Sequence, residues 1–174
     1  MDVTIITFIC FNLNPLMKYW VLFLIGLIFL ASCDEKECCP PPEHDYLVFG
    51  VFRGFCSGPK CIAIFKLSDS MLLEDINDNY PSNNSFYEGN FESRSNEKFN
   101  EAKKLWSQFP KQFLSDSQRV FGIPDSHDQG GVYLEYKSHS SHNFWILDTS
   151  IEILPDAYKD YTQMVIETVD KLLL

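Results

Sequence analysis

The chain has 174 residues, almost half of them apolar and 15 of them Phe, with a formal net charge of −10. That length suits one ordinary domain with a sizeable core behind a short leader. The acidic balance excludes nucleic acid and anionic lipid headgroups as natural partners, because both need a basic face and no basic run occurs.

The first feature in chain order is "MKYWVLFLIGLIFLASCDEKECC", Met17 to Cys39. Its apolar run, Tyr19 to Ala31, is shorter than the roughly 20 residues a helix needs to span a bilayer. A basic residue (Lys18), a short apolar middle and small residues before a cut site describe a secretory signal peptide. The closing Leu30-Ala31-Ser32-Cys33 resembles the lipobox of bacterial lipoproteins. That resemblance implies cleavage before Cys33, diacylglycerol on its sulfur, and anchoring by acyl chains such as palmitate. Two or more chains hold a protein stably at a membrane. Asn12, Asn14 and Pro15 interrupt any longer span, so residues 1–16 read as an over-extended start and 17–32 as the signal. Residues 33–45, "CDEKECCPPPEHD", are acidic and then proline-rich, a semi-rigid tether. The acidic start is similar to signals that send some lipoproteins to the outer surface. The expected address is the bacterial cell envelope, at the outer membrane, facing either the periplasm or the exterior.

Six cysteines occur. Cys10 falls in the leader and Cys33 takes the lipid, which leaves Cys38, Cys39, Cys56 and Cys61 in a compartment where disulfides persist. "YLVFGVFRGFCSGPKCIAIFKL" predicts strands over Tyr46 to Phe55 and Cys61 to Leu67, joined by the turn residues Ser57-Gly58-Pro59-Lys60. That hairpin sets Cys56 opposite Cys61 as a disulfide. Cys38 and Cys39 can pair with each other, with the hairpin or with another molecule. Both faces of the two strands carry large apolar residues, as in the centre of a sheet.

A long polar loop is expected from Ser68 to Asn90, with a short strand at Asn90 to Ser93. Phe99, Ala102, Trp106 and Phe109 recur at helical spacing, with Ser95 as the cap and Pro110 as the stop. A helical turn follows at Lys111 to Ser115. Val132, Leu134 and Tyr136 alternate with Tyr133, Glu135 and Lys137, and Ser138 to Ser141 turns the chain back into Phe144 to Leu147. Pro155 opens a final helix, with Tyr158, Tyr161, Val165, Val169 and Leu172 on one stripe. The order β-β-α-β-β-α predicts an α+β domain over 46–174, an antiparallel sheet from two hairpins with two helices on one face. A closing hairpin followed by a proline-led helix is similar in order to small secreted protease inhibitors of the emfourin type. No inhibitory motif matches residue by residue, and the domain otherwise resembles no characterised family.

No catalytic signature stands out, and no residue set points to a cofactor. Asp75, Asn77 and Asn79 match the start of an EF-hand loop, but Tyr80 and Phe86 occupy its obligatory glycine and terminal acid positions. Asp125, His127 and Asp128 sit on the glycine-rich loop "PDSHDQGG", a setting that suits a metal ligand, a general base or plain loop chemistry. His139 and His142 flank a tight turn and lack an evident third metal ligand. Tyr80, Phe86, Tyr87 and Phe91 are aromatic residues in polar sequence, suited either to a recognition patch or to packing back on the core. The favoured reading is a non-enzymatic binding module, inhibitor-like in one version, engaging a protein or glycan. The alternative is an envelope hydrolase or metal-dependent enzyme centred on Asp125, His127 and Asp128.

Overall fold

The computed structural model describes residues 45–56, 58 and 60–174. The leader, Cys33, most of the tether with Cys38 and Cys39, and positions 57 and 59 of the first turn lie outside the described residues. One seven-stranded sheet organises the rest, in the order β4-β3-β2-β1-β6-β7-β5. Its strands are β1 Tyr46–Phe52, β2 Ile62–Ser68, β3 Leu72–Asp75, β4 Phe91–Ser93, β5 Val120–Phe121, β6 Gly131–Ser138 and β7 Ser141–Leu147. Every pairing is antiparallel except that of β5 with β7. Among the described residues no helix is long and apolar enough to cross a membrane.

Both hairpins follow the residue pattern. β1 lies between β2 and β6, which is why six of its seven residues are buried. Cys56 and Cys61 form a disulfide with their Cα atoms 5.5 Å apart. Closing so small a loop stabilises by about 2 kcal/mol in the chain-entropy model. The second hairpin turns in two residues, so β7 begins at Ser141 rather than Phe144, with Lys137 opposite His142 and Glu135 opposite Phe144.

Alternation divides the sheet residues between two faces. One face carries Leu47, Phe49, Phe65, Leu67, Leu134, Trp145 and Leu147, and the helices cover it. Helix α1, Asn96–Ser107, is capped by Ser95, whose side chain accepts from the Lys98 amide. Ala102 and Leu105 are its buried residues, while Phe99 and Trp106 pack at the margin. The short helix α2, Gln112–Ser115, inserts Phe113, which stacks on Tyr158 at 4.0 Å and tilts against Trp145 at 5.0 Å. Helix α3, Asp156–Leu172, follows Pro155 and buries Tyr158, Tyr161, Val165, Val169 and Leu172, the expected stripe. Each such fully buried side chain contributes on the order of 1.5–3 kcal/mol. Tyr161 donates to the Leu105 carbonyl at 2.9 Å, tying α3 to α1.

Two strands differ from the sequence expectation. β3 interrupts the supposed Ser68–Asn90 loop, because Leu72, Leu73 and Glu74 find partners at Leu67, Lys66 and Phe65. β5 is created by pairing with β7. The remaining loop, residues 76–90, is an Ω loop whose ends are held together. The Ile76 amide donates to Asn90 O at 2.9 Å, and Asp75 accepts from the amides of Asp78 and Asn90 and from the Tyr87 hydroxyl. Asp75, the first position of the failed calcium loop, is therefore the staple of this loop.

Candidate functional site

The Ω loop lies over the sheet face opposite the helices, where Val48, Phe52, Ile64, Tyr133, Phe144 and Ile146 form a second, smaller core. Two groupings result, one at each end of that face.

The first is centred on Glu135, only 2 % exposed. Its Oε2 accepts from the Tyr133 hydroxyl at 2.7 Å and from the Tyr87 amide at 3.3 Å. Its Oε1 accepts from the Tyr46 hydroxyl at 3.1 Å and lies 2.9 Å from His142 Nε2. The Tyr87 amide also donates to the Tyr133 hydroxyl at 2.9 Å. His142 stacks on Phe86 with ring centroids 3.8 Å apart. Burial chiefly, and then the charge of Glu135, raises the Tyr133 phenol well above its ordinary value. Every oxygen of this buried carboxylate is satisfied, so the grouping fastens the loop to the sheet.

Phe86, Tyr87 and Phe91 belong to this packed region. Tyr87 sits 5.7 Å from Tyr133 and 6.3 Å from Phe91, and Phe91 joins the margin of the second core. Phe86 and Tyr87 of the loop and Phe91 of β4 thus turn towards the sheet, Phe86 keeping part of its ring exposed.

The second grouping forms where three segments meet beside the start of β6: the end of β1, Tyr80 to Asn83 of the Ω loop, and Gly122 to Asp128. Asp125 takes the left-handed conformation, φ 60°, which short polar side chains tolerate. Its amide donates to Gly130 O at 2.6 Å and its Oδ1 accepts from Gly130 N at 3.1 Å, closing the loop on itself. Gly130, φ 78°, lets that loop press on β1, since a Cβ there would stand 1.8 Å from Phe52 O. The Phe55 amide adds a bond to Asp128 O at 3.2 Å.

Between these segments lies a cleft of about 440 Å³. Phe52, Val120 and Ile146 form its floor, and Tyr80, Ile123 and Asp125 stand in its walls. The Tyr80 ring meets Phe52 edge-on at 5.0 Å, and Tyr80 and Asp125 line the cleft together. Burial first, then Asp125 and Asp128, raise the Tyr80 phenol. The surroundings are apolar and exposed: Phe55 is 88 % exposed, Ile123 68 %, Ile153 54 % and Tyr80 47 %. Ile153 closes on Gly122, where a Cβ would lie 3.2 Å from its Cδ1.

The expected residues therefore separate. Tyr80, Asp125 and Asp128 come together at the cleft, whereas Phe86, Tyr87 and Phe91 do not join them. The backbone of His127 lies in a 3₁₀ turn, Ser126–Asp128, and its side chain is outside what the structure describes. Glu135 and His142 do not approach that turn. His142 faces Lys137, six residues along β6 from Gly131, a separation of roughly 20 Å at the strand rise. His139 occupies the tip of the second hairpin. Among the described residues no three His, Cys, Asp or Glu side chains gather as a metal site. Sequence reasoning missed Phe52, Val120, Ile123 and Ile146, whose apolar character signals core and not cleft. Compared with protein families, curated proteins and solved structures, the chain matches none.

Proposed function

We propose that this chain is a lipid-anchored envelope protein whose domain is a non-enzymatic binding module, engaging its partner through the cleft end of the sheet. The observation that carries this reading is a 440 Å³ cleft whose lining includes the exposed Tyr80 and Ile123, with Phe55 and Ile153 exposed on neighbouring segments. Large side chains held exposed around a concavity favour recognition, because removing them from water stabilises a complex. The lipobox-like Leu30-Ala31-Ser32-Cys33 supports the anchor, and the tether supplies reach from the membrane. An inhibitor-like action is one form such binding takes, with a protease as the captured partner.

Two measurements test the two halves of this proposal. A photo-crosslinking residue at Ile123 on intact cells is expected to give a discrete adduct, absent when the same residue replaces Asp170 on the outer side of α3. Equal adducts at both positions, or none at Ile123, would count against the module. Separately, the intact mass of detergent-extracted protein is expected to begin at Cys33 with added acyl chains. A mass beginning at Met1 or Met17 without lipid would remove the anchor.

A further inference from the structure

We infer that the cleft receives an apolar side chain of a partner polypeptide that carries a lysine or arginine beside it, with Asp125 taking the cation. This rests on the binding-module reading and names the chemistry of its ligand. Ser82 and Asn83 of the Ω loop add polar groups to the lining, but Phe52, Val120, Ile123 and Ile146 make most of it apolar, so an apolar group is the occupant that loses least on entering. The volume falls in the range of roughly 300–1,000 Å³ typical of ligand clefts.

One wall is acidic. Asp125 lines the cleft, and Asp128 follows on the same loop, with its Cα and the Asp125 carboxylate both beside Gly54. Among the described residues no lysine or arginine forms an ion pair with either carboxylate. The two nearby arginines are turned elsewhere: Arg53 reaches the Lys60 carbonyl, and the Arg119 guanidinium lies 4.7 Å over the Phe144 ring. Asp125 accepts from Gly130 N, which orients its carboxylate where it lines the cleft. A cation adjacent to an apolar anchor satisfies both features, and an anionic neighbour would meet repulsion. The charge of −10 on the whole chain works in the same direction.

The test uses the full-length chain in nanodiscs with labelled Ile and Val methyl groups. Three peptides serve as probes: acetyl-Gly-Trp-Lys-Gly-amide, acetyl-Gly-Trp-Glu-Gly-amide and acetyl-Gly-Ala-Lys-Gly-amide. The Trp-Lys peptide is expected to shift the Val120, Ile123 and Ile146 methyls and to bind about two- to fivefold tighter than Trp-Glu, the reach of one partly exposed ion pair. The Ala-Lys peptide is expected to leave these methyls unmoved. Asp125→Asn should abolish the preference for Lys over Glu while Trp binding persists. Asparagine tolerates the left-handed backbone and still accepts from Gly130 N, so the loop survives the change. Equal binding of the Lys and Glu peptides, shifts confined to other methyls, or no shifts at all would overturn the inference. A partner captured at Ile123 together with any of these results would reject the ligand class and leave the binding module standing. No capture and no shift would reject both.

Discussion

Replacing Glu135 with alanine is expected to lower stability by about 3–5 kcal/mol, the cost of removing one member of a buried, fully bonded polar cluster. The carboxylate accepts from Tyr133, Tyr46 and the Tyr87 amide and lies against His142. Alanine would leave the Tyr133 hydroxyl, which is wholly buried, with its donor unmatched and a cavity beside it. Glutamine keeps one acceptor oxygen for Tyr133 and Tyr87 and gives up the contacts of the other, so it should cost less, about 1–2 kcal/mol. Urea unfolding measures both, and an unchanged m-value would show that stability alone has moved. In a double-mutant cycle with Tyr133→Phe, the two losses should fall short of additivity by more than about 0.5 kcal/mol. An alanine cost below about 1 kcal/mol would show that the cluster is incidental. The same change reaches the cleft, because Tyr87 and Tyr80 belong to one Ω loop. With Tyr87 released, exchange of its amide hydrogen should accelerate and the Tyr80 wall should loosen.

This cluster also shows how far the residues spoke for themselves. A two-residue turn between Ser138 and Ser141 sets the hairpin register, and that register puts Glu135 and His142 on one face as diagonal neighbours. The residue pattern put the turn over Ser138 to Ser141 and the return at Phe144, so the meeting of Glu135 with His142 was not read from it. β1, β2, β6, β7, α1 and α3 were legible for local reasons, through alternation, a serine cap and a proline start. β3 and β5 were not. Leu72–Asp75 has two apolar residues among polar ones, and its strand character comes from Leu67, Lys66 and Phe65 across the ladder. Val120–Phe121 owes its conformation to Ile146 and Leu147, which arrive later in the chain. The cleft was hidden for a like reason. Tyr80 and Asp125 were each marked as candidates, but only the folded sheet brings a tyrosine of one loop to an aspartate of another. Phe52 and Ile146 read as ordinary core because they are core, on the side of the sheet that the Ω loop covers incompletely.

Stability is expected to fall steeply once the pH passes 10, by about 4 kcal/mol at pH 11, as three buried tyrosines resist ionisation in the folded state. Tyr133, Tyr158 and Tyr161 are each no more than 4 % exposed. Burial raises all three above the ordinary value of 10.0. Tyr158 is pushed up to about 12 by burial first and then by its hydrogen bond to Asp116. In the unfolded chain these phenols lose their protons near pH 10, while the folded chain still holds them. The folded state then binds more protons, so stability is fully present below pH 10 and declines as the pH rises towards the folded values. By pH 11 each group has removed about 1.4 kcal/mol relative to neutral pH, which gives the total for three. Urea midpoints between pH 8 and 11 measure the slope, and the part of the phenolate absorbance due to these three tyrosines should rise together with unfolding instead of before it. Tyr161→Phe, which gives up the bond to the Leu105 carbonyl, should lose stability at pH 8 and less of it at pH 11. A flat profile to pH 11, or a full phenolate signal from a chain that remains folded, would mean that these hydroxyls are reachable by solvent and that the packing around them, on both faces of the sheet, is looser than its ring distances indicate.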